Sequence, residues 1–285
     1  MSMTFVLVHG SNGNARSWAG VQRELALLGH RSLAVNLPGH GEGSGYTRAY
    51  QAPQDLDAFA AAPSTMAGVS YADGVAHVID VVRRVRAHGP VVLVGASRGG
   101  LVLTDVANAV PELLDRVVYL SAWCCVDRTV PEYMEAPEFA DSKLGTLLPL
   151  MVGDPAELGV TRWNWRTADP GLLAALKAAL FADVTEQQML AVLDCFEPDE
   201  ILDFGTTVVD PATWGRVPHT YVRLTGDQAL PPAMQDLMIA QADARTPDNP
   251  FDVHSLPCSH AGFGFHPHVS SLAAILDKAV RGSTN

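Results

Sequence analysis

Residues 91–100 read Val-Val-Leu-Val-Gly-Ala-Ser-Arg-Gly-Gly, and this stretch restricts the fold more than any other. Four apolar, mostly β-branched residues predict a buried strand, and the residues from Gly99 onward carry helical spacing to about 110. The link between them is Gly-x-Ser-x-Gly-Gly. A serine there sits on a sharp, strained strand-to-helix turn, with small neighbours leaving room for close backbone. Ser97 Oγ would then project above a sheet edge, next to the positive end of a helix dipole. The competing reading is a serine in a glycine-rich phosphate-binding turn. No Gly-x-Gly-x-x-Gly or Walker pattern supports it.

Strands are expected at residues 5–8, 32–36, 90–96, 116–121, 219–224 and 251–256. Helices are expected at 16–28, where Trp18, Val21, Leu25 and Leu28 recur at threes and fours before Gly29, and from Ser70, whose pairing with Asp73 reads as a capping box, to about 87. Further helices follow at 99–110 and 232–242, with a last one ending near 280. Strand and helix alternate without hairpin turns, which predicts a mostly parallel α/β sheet of about six strands with helices on both faces. Residues 122–216 break the rhythm with seven prolines and helical stretches at 170–181 and 185–194. The expected plan is one domain over 1–285, with a core of 1–121 and 217–285 and a helical lid inserted after the fourth strand.

A serine nucleophile needs a base, and the base needs an orienting acid. Thr225-Gly226-Asp227 follows one late strand and Pro257-Cys258-Ser259-His260 the next, so the chain order is Ser97, Asp227, His260. Asp127, beyond the fourth strand, is the rival acid. His254 is the rival base but falls within a strand, and His266 and His268 lie near the final helix. His9-Gly10-Ser11-Asn12-Gly13 ends the first strand. The mechanism takes one oxyanion donor from such a loop and one from the residue after the nucleophile, here the amides of Ser11 and Arg98.

Taken together, these segments resemble the α/β-hydrolase superfamily and, more narrowly, its branch of plant methylesterases and hydroxynitrile lyases. Residues 5–10 resemble the branch's opening strand, Asp227–Pro232 with Gln235 its acid loop, and Leu180–Asp183 with Leu193 and Pro198 its lid. Lyases of the branch carry threonine after the first histidine and lysine after the catalytic one. Here Gly10 and Ala261 stand there, so a cyanide leaving group would lack a charged partner and ester hydrolysis is expected. Ala96 and Arg98 depart from the histidine and apolar or aromatic residue common beside the nucleophile in relatives. Arg98 is read either as contacting a polar substrate group or as pairing with a nearby carboxylate.

The expected reaction is cleavage of a carboxylic ester of a small hydrophobic or aromatic substrate, with no metal or organic cofactor. Pocket candidates are Gly10, Asn12, Trp123, Trp163, Trp165, Phe181, Met189 and Ala261, although aromatic residues in the insert equally suit packing of its helices. A thioesterase, lactonase, C–C hydrolase or lyase on the same triad, and a non-catalytic ligand-binding receptor of this fold, are the alternatives.

Composition narrows the partners. The net charge is −12, only three of the 19 basic residues are lysine, and these (Lys143, Lys177, Lys278) are scattered. Nucleic acid and anionic membrane surfaces are therefore excluded as expected partners, and a homodimer is the assembly to test. The apolar content of 48% with 18% charged residues suits a large core rather than disorder. No signal peptide or membrane span is expected. The four cysteines, at 124, 125, 195 and 258, form no Cys-x-x-Cys pair and are read as reduced thiols of a cytoplasmic protein.

Overall fold

The computed structural model describes residues 3–281. Eight strands run β1 Thr4–Val8, β2 Arg31–Ala34, β3 Val91–Ser97, β4 Arg116–Ala122, β5 Val160–Arg162, β6 Asp199–Ile201, β7 His219–Leu224 and β8 Asp252–Leu256. Six of them form one sheet in the order β2-β1-β3-β4-β7-β8, and every pairing within it is parallel. The helices are α1 Ala19–Leu27, α2 Leu56–Ala61, α3 Tyr71–Arg86, α4 Gly99–Ala109, α5 Val130–Met134, α6 Pro155–Leu158, α7 Pro170–Leu180, α8 Glu186–Leu193, α9 Pro232–Arg245 and α10 His268–Arg281.

The near-continuous apolar runs of β1, β3 and β4 follow from burial on both sheet faces. Alternate side chains enter opposite layers. Phe5, Leu7, Val92 and Val94 pack with Val21 and Leu25 of α1 and Leu272 and Leu276 of α10. Val6, Val8, Leu93 and Tyr119 pack with α3, α4 and α9 on the other face. The edge strands β2 and β8 are half-exposed. Strands β2 and β3 flank β1, so the connections leave in opposite directions and open a crevice at the strands' carboxyl ends.

Helix α3 begins at the expected cap: Ser70 Oγ accepts from the Asp73 amide at 3.2 Å, and the Asp73 carboxylate accepts from the Ser70 amide at 2.9 Å. The helix expected over 16–28 instead opens with a 3-10 turn, Ala15–Trp18, before α1. Asn14 caps that turn by accepting from the Arg16 amide, so the first coil tightens before the apolar face of α1 takes over.

The insert contains more than helices. Its β5 and β6 pair antiparallel, with Arg162 opposite Asp199, and sequence reading did not anticipate them. Three-residue strands carry too little alternation to stand out, and a tertiary ion pair stabilises them. Arg162 makes two bonds of 2.7 Å to Asp199 while donating to the carbonyls of Phe59 and Ala62. A third apolar cluster fills the insert from Leu147 to Leu193 and extends to Ala229 and Ala261, in the loops after β7 and β8. The insert therefore packs directly against those two loops. Among the described residues, no helix is long and apolar enough to cross a membrane.

Candidate active site

Ser97 is the last residue of β3, and its φ of 53° is left-handed. The strain is built in by close approach. A Cβ on Gly99 would lie 2.7 Å from the His9 carbonyl oxygen, and one on Gly95 would lie 2.5 Å from Leu103 and 2.9 Å from the Gly99 carbonyl carbon. Larger residues at either position would push α4 away from the sheet. The pairing of β3 with β4 shifts register between Ala96 and Ser97, which tips the serine out of the pleat as α4 begins two residues later.

Strands β4, β7 and β8 follow β3 side by side, so the loops at their carboxyl ends lie along the same edge. His260 Nδ1 donates to Asp227 Oδ2 at 2.6 Å. A carboxylate oxygen accepts only, so the proton lies on Nδ1 and Nε2 is left bare. Asp227 is fully buried. Its Oδ2 also accepts from Ser121 Oγ at 2.6 Å, and Oδ1 accepts from the Ala229 and Leu230 amides at 2.7 and 2.8 Å. Behind this loop, buried Gln235 accepts from the Leu224 amide and donates to the Leu224 and Leu230 carbonyls. Burial of the His260 ring opposes its charging, but the Asp227 charge and hydrogen bond outweigh burial and raise its pKa above the usual histidine value.

The rival residues lie elsewhere. Asp127 is 46% exposed and pairs with Arg245 at 2.7 Å on the surface. His254 pairs with Asp252 within its own strand, His266 meets Arg23, and His268 lies 3.3 Å from Asp183. Asp183 accepts from Ser259 Oγ, and the Ala261 amide donates to the Leu180 carbonyl at 2.9 Å. The insert thus brackets His260 on both sides.

The loop after β1 lies against the serine: a Cβ on Gly10 would come within 2.9 Å of Ser97 Cβ. His9 Nε2 accepts from the Leu37 amide at 3.2 Å, so its proton is on Nδ1, which donates to the Gly10 carbonyl at 2.9 Å. Burial, with the nearby His40 charge, lowers the His9 pKa to about 3 and keeps the ring neutral. Ser11 is exposed, whereas Asn12 is buried and turned toward the insert. Its amide donates to Glu200 Oε2 at 2.8 Å and its Nδ2 to the Glu197 carbonyl at 2.9 Å.

The Arg98 guanidinium faces the insert. It donates to the carbonyls of Ile201 and Asp203, lies 3.7 Å from Glu200, and covers the Phe204 ring at 4.3 Å. Of the two readings of this side chain, pairing with a carboxylate is the one observed, and the pairing secures β6.

Among the pocket candidates, Phe181 and Met189 are fully buried within the insert's cluster, so no surface of theirs meets a space that water can enter. Trp123 is buried against Tyr133 and Phe139, while its amide donates to the Ser97 carbonyl at 3.0 Å. Trp165 donates to the Glu197 carbonyl and stacks on Trp163, which is partly exposed and, like Ala261, packs against the cluster from outside. Sequence reasoning missed Ser121, Glu197 and Glu200. Ser121 was available to it as the end of a strand next to β3, but nothing local marks either glutamate.

The model of the alpha/beta hydrolase family matches residues 5–274 of the chain. The sequence is 24% identical over 258 residues to a pyrethroid hydrolase from Sphingobium wenxiniae, covering 90% of this chain and 81% of that protein. It is 25% identical over 251 residues to methylesterase 1 from Arabidopsis thaliana, covering 82% of each. The crystal structure of a pyrethroid hydrolase from Sphingobium faniae superposes over the full length of both chains, with a TM-score of 0.74 at 23% identity.

Proposed function

The chain belongs to the alpha/beta hydrolase family, and on that footing we propose that it is a serine hydrolase cleaving carboxylic esters of small hydrophobic or aromatic substrates. One observation carries the reading. A serine with left-handed φ ends β3, and His260, bonded to the buried Asp227, stands at the same sheet edge, with the imidazole's Nε2 left bare.

Ser97 Oγ attacks the ester carbonyl while His260 Nε2 takes its proton. The oxyanion is held by the Ser11 and Arg98 amides, aided by the N-terminus of α4. When the tetrahedral adduct collapses, the C–O bond to the alcohol breaks and His260 returns the proton to the leaving oxygen. Water, deprotonated by His260, then attacks the acyl-serine and releases the acid. Asp227 holds the imidazole and stabilises its charged form. Residues 122–216 act as a lid, with Trp163 and Ala261 facing the bound substrate.

The names of two relatives, a pyrethroid hydrolase and a methylesterase, support ester chemistry. Gly10 favours it over cyanogenic lyase chemistry, because a threonine Cβ would crowd Ser97. Cys124, Cys125 and Cys258 are buried, Cys195 is half-buried, and all four are free, which supports a reducing, cytoplasmic setting.

The test is p-nitrophenyl acetate hydrolysis with fluorophosphonate labelling. Labelling of Ser97 and a loss of several orders of magnitude in Ser97→Ala are expected. A Ser97→Ala protein active at the wild-type rate would refute the reading. A wild-type protein that binds esters without turnover would point to a receptor, and efficient cyanide release from mandelonitrile would point to a lyase.

A further inference from the structure

We propose that Glu200, on β6 of the insert, is a positioning residue that holds the oxyanion loop in its working conformation by accepting from the Asn12 amide. The proposal rests on the reading of Ser11 as an oxyanion donor. Asn12 has a φ of 54°, a left-handed conformation that non-glycine residues adopt rarely and that surrounding bonds must hold in place. Those bonds come from the insert. Asn12 N–H donates to Glu200 Oε2 at 2.8 Å, its carbonyl accepts from the Glu197 amide at 2.7 Å, and its Nδ2 donates to the Glu197 carbonyl at 2.9 Å. Asn14 adds a bond of 2.7 Å to Glu197 Oε1.

On the other side of Ser11, the Gly13 amide closes a turn onto the Gly10 carbonyl at 3.1 Å. The plane of the Ser11–Asn12 peptide is thus set by Glu200, and Ser11 is bracketed between that anchor and the turn beside Ser97.

Glu200 is buried, and its second oxygen lies 3.7 Å from Arg98, whose own amide is the other proposed oxyanion donor. One carboxylate therefore meets the Asn12 amide next to Ser11 and the side chain of Arg98. His40 lies 3.5 Å from Oε2. Burial alone would raise the Glu200 pKa, but bonding to His40 and the Arg98 charge overcome burial and hold it at about 2, so the acceptor stays ionised. A cavity of about 30 Å³ is lined by His9, His40, Arg98 and Glu200.

The experiment compares Glu200→Ala, Glu200→Met and Glu200→Gln with wild type and Ser97→Ala, reading p-nitrophenyl acetate kinetics and inhibition by phenylboronic acid. Phenylboronic acid forms a tetrahedral adduct that needs the oxyanion hole. The alanine and methionine variants should lose roughly 10–100-fold in kcat with KM within about threefold, and the inhibition constant should rise by a similar factor. Glutamine keeps an acceptor for the Asn12 amide, and Glu200→Gln should stay within about threefold of wild type on both measures.

A folded Glu200→Ala with wild-type kcat, or a Glu200→Gln as impaired as Glu200→Ala, would overturn the assignment. Loss of the folded state in both truncations, read by circular dichroism, would also overturn it, because Glu200 would then hold the fold rather than the loop. An inactive wild type or a fully active Ser97→Ala would instead sink the esterase reading itself, whatever the Glu200 variants do.

Discussion

Four donors converge on the Asp227 carboxylate: Ser121 Oγ, the Ala229 and Leu230 amides, and His260 Nδ1. An asparagine in its place would keep one oxygen for the two amides and turn its NH2 toward Ser121 and His260. The imidazole would then accept at Nδ1 and carry its proton on Nε2, where it cannot take one from Ser97. Asp227→Asn should therefore fold, by circular dichroism, and lose on the order of 10³–10⁴-fold in kcat. Asp127→Asn removes only an exposed pair with Arg245 and should stay close to wild type. A dead Asp127→Asn beside an active Asp227→Asn would reverse the assignment. The base must be neutral to accept a proton, and the Asp227 charge raises the His260 pKa. The kcat/KM profile should accordingly rise with pH through a single ionisation above the ordinary histidine value of about 6.5, then level off. A limb centred below that value would contradict the pairing.

The short strands β5 and β6 depend on more than their ladder. Arg162 is buried with both ends of its guanidinium engaged, toward Asp199 across the pair and toward the carbonyls ending α2. Replacing it by methionine keeps bulk but leaves the buried Asp199 carboxylate and the Ala62 carbonyl without the donors that Arg162 supplied. Arg162→Met should cost about 3–5 kcal/mol of unfolding free energy in urea titration. Because β6 carries Glu200, whose carboxylate bonds the Asn12 amide, the loop beside Ser97 should suffer with it, and a fall in kcat at temperatures where the sheet remains folded is expected. Unchanged stability would mean that the pair only decorates the insert.

Acid should unfold the molecule through its buried neutral histidines. His219 packs against Trp214, with ring centroids 4.1 Å apart, and bonds the Val217 carbonyl. Burial lowers its pKa to about 4. A histidine depressed in the folded state binds its proton more readily when unfolded. Its stabilising contribution is therefore complete above about pH 6.5 and falls as pH drops toward 4. Between pH 7 and 5, His219 alone should account for about 2 kcal/mol of lost stability. His219→Gln should flatten the pH dependence of urea midpoints by that amount while lowering stability at pH 7. An unchanged slope would place the acid sensitivity elsewhere, and neutral His9 is the next group to test.

The parallel sheet, the turn around Ser97, and Asp227 and His260 as candidates at later strand ends were all legible in the sequence. Each depends on a local rule: apolar runs for strands buried on both faces, glycines where backbone must approach, and loops at strand ends. The capping box at Ser70 was legible for the same reason, since its donor and acceptor lie three residues apart. The strands β5 and β6, the direction of the Arg98 side chain and the bonding of Asn12 to Glu200 were not legible. Arg162 meets Asp199 across 37 positions, and Asn12 meets Glu200 across 188. No periodicity or spacing encodes such meetings, because they exist only once the sheet has formed and the insert has folded back over its edge.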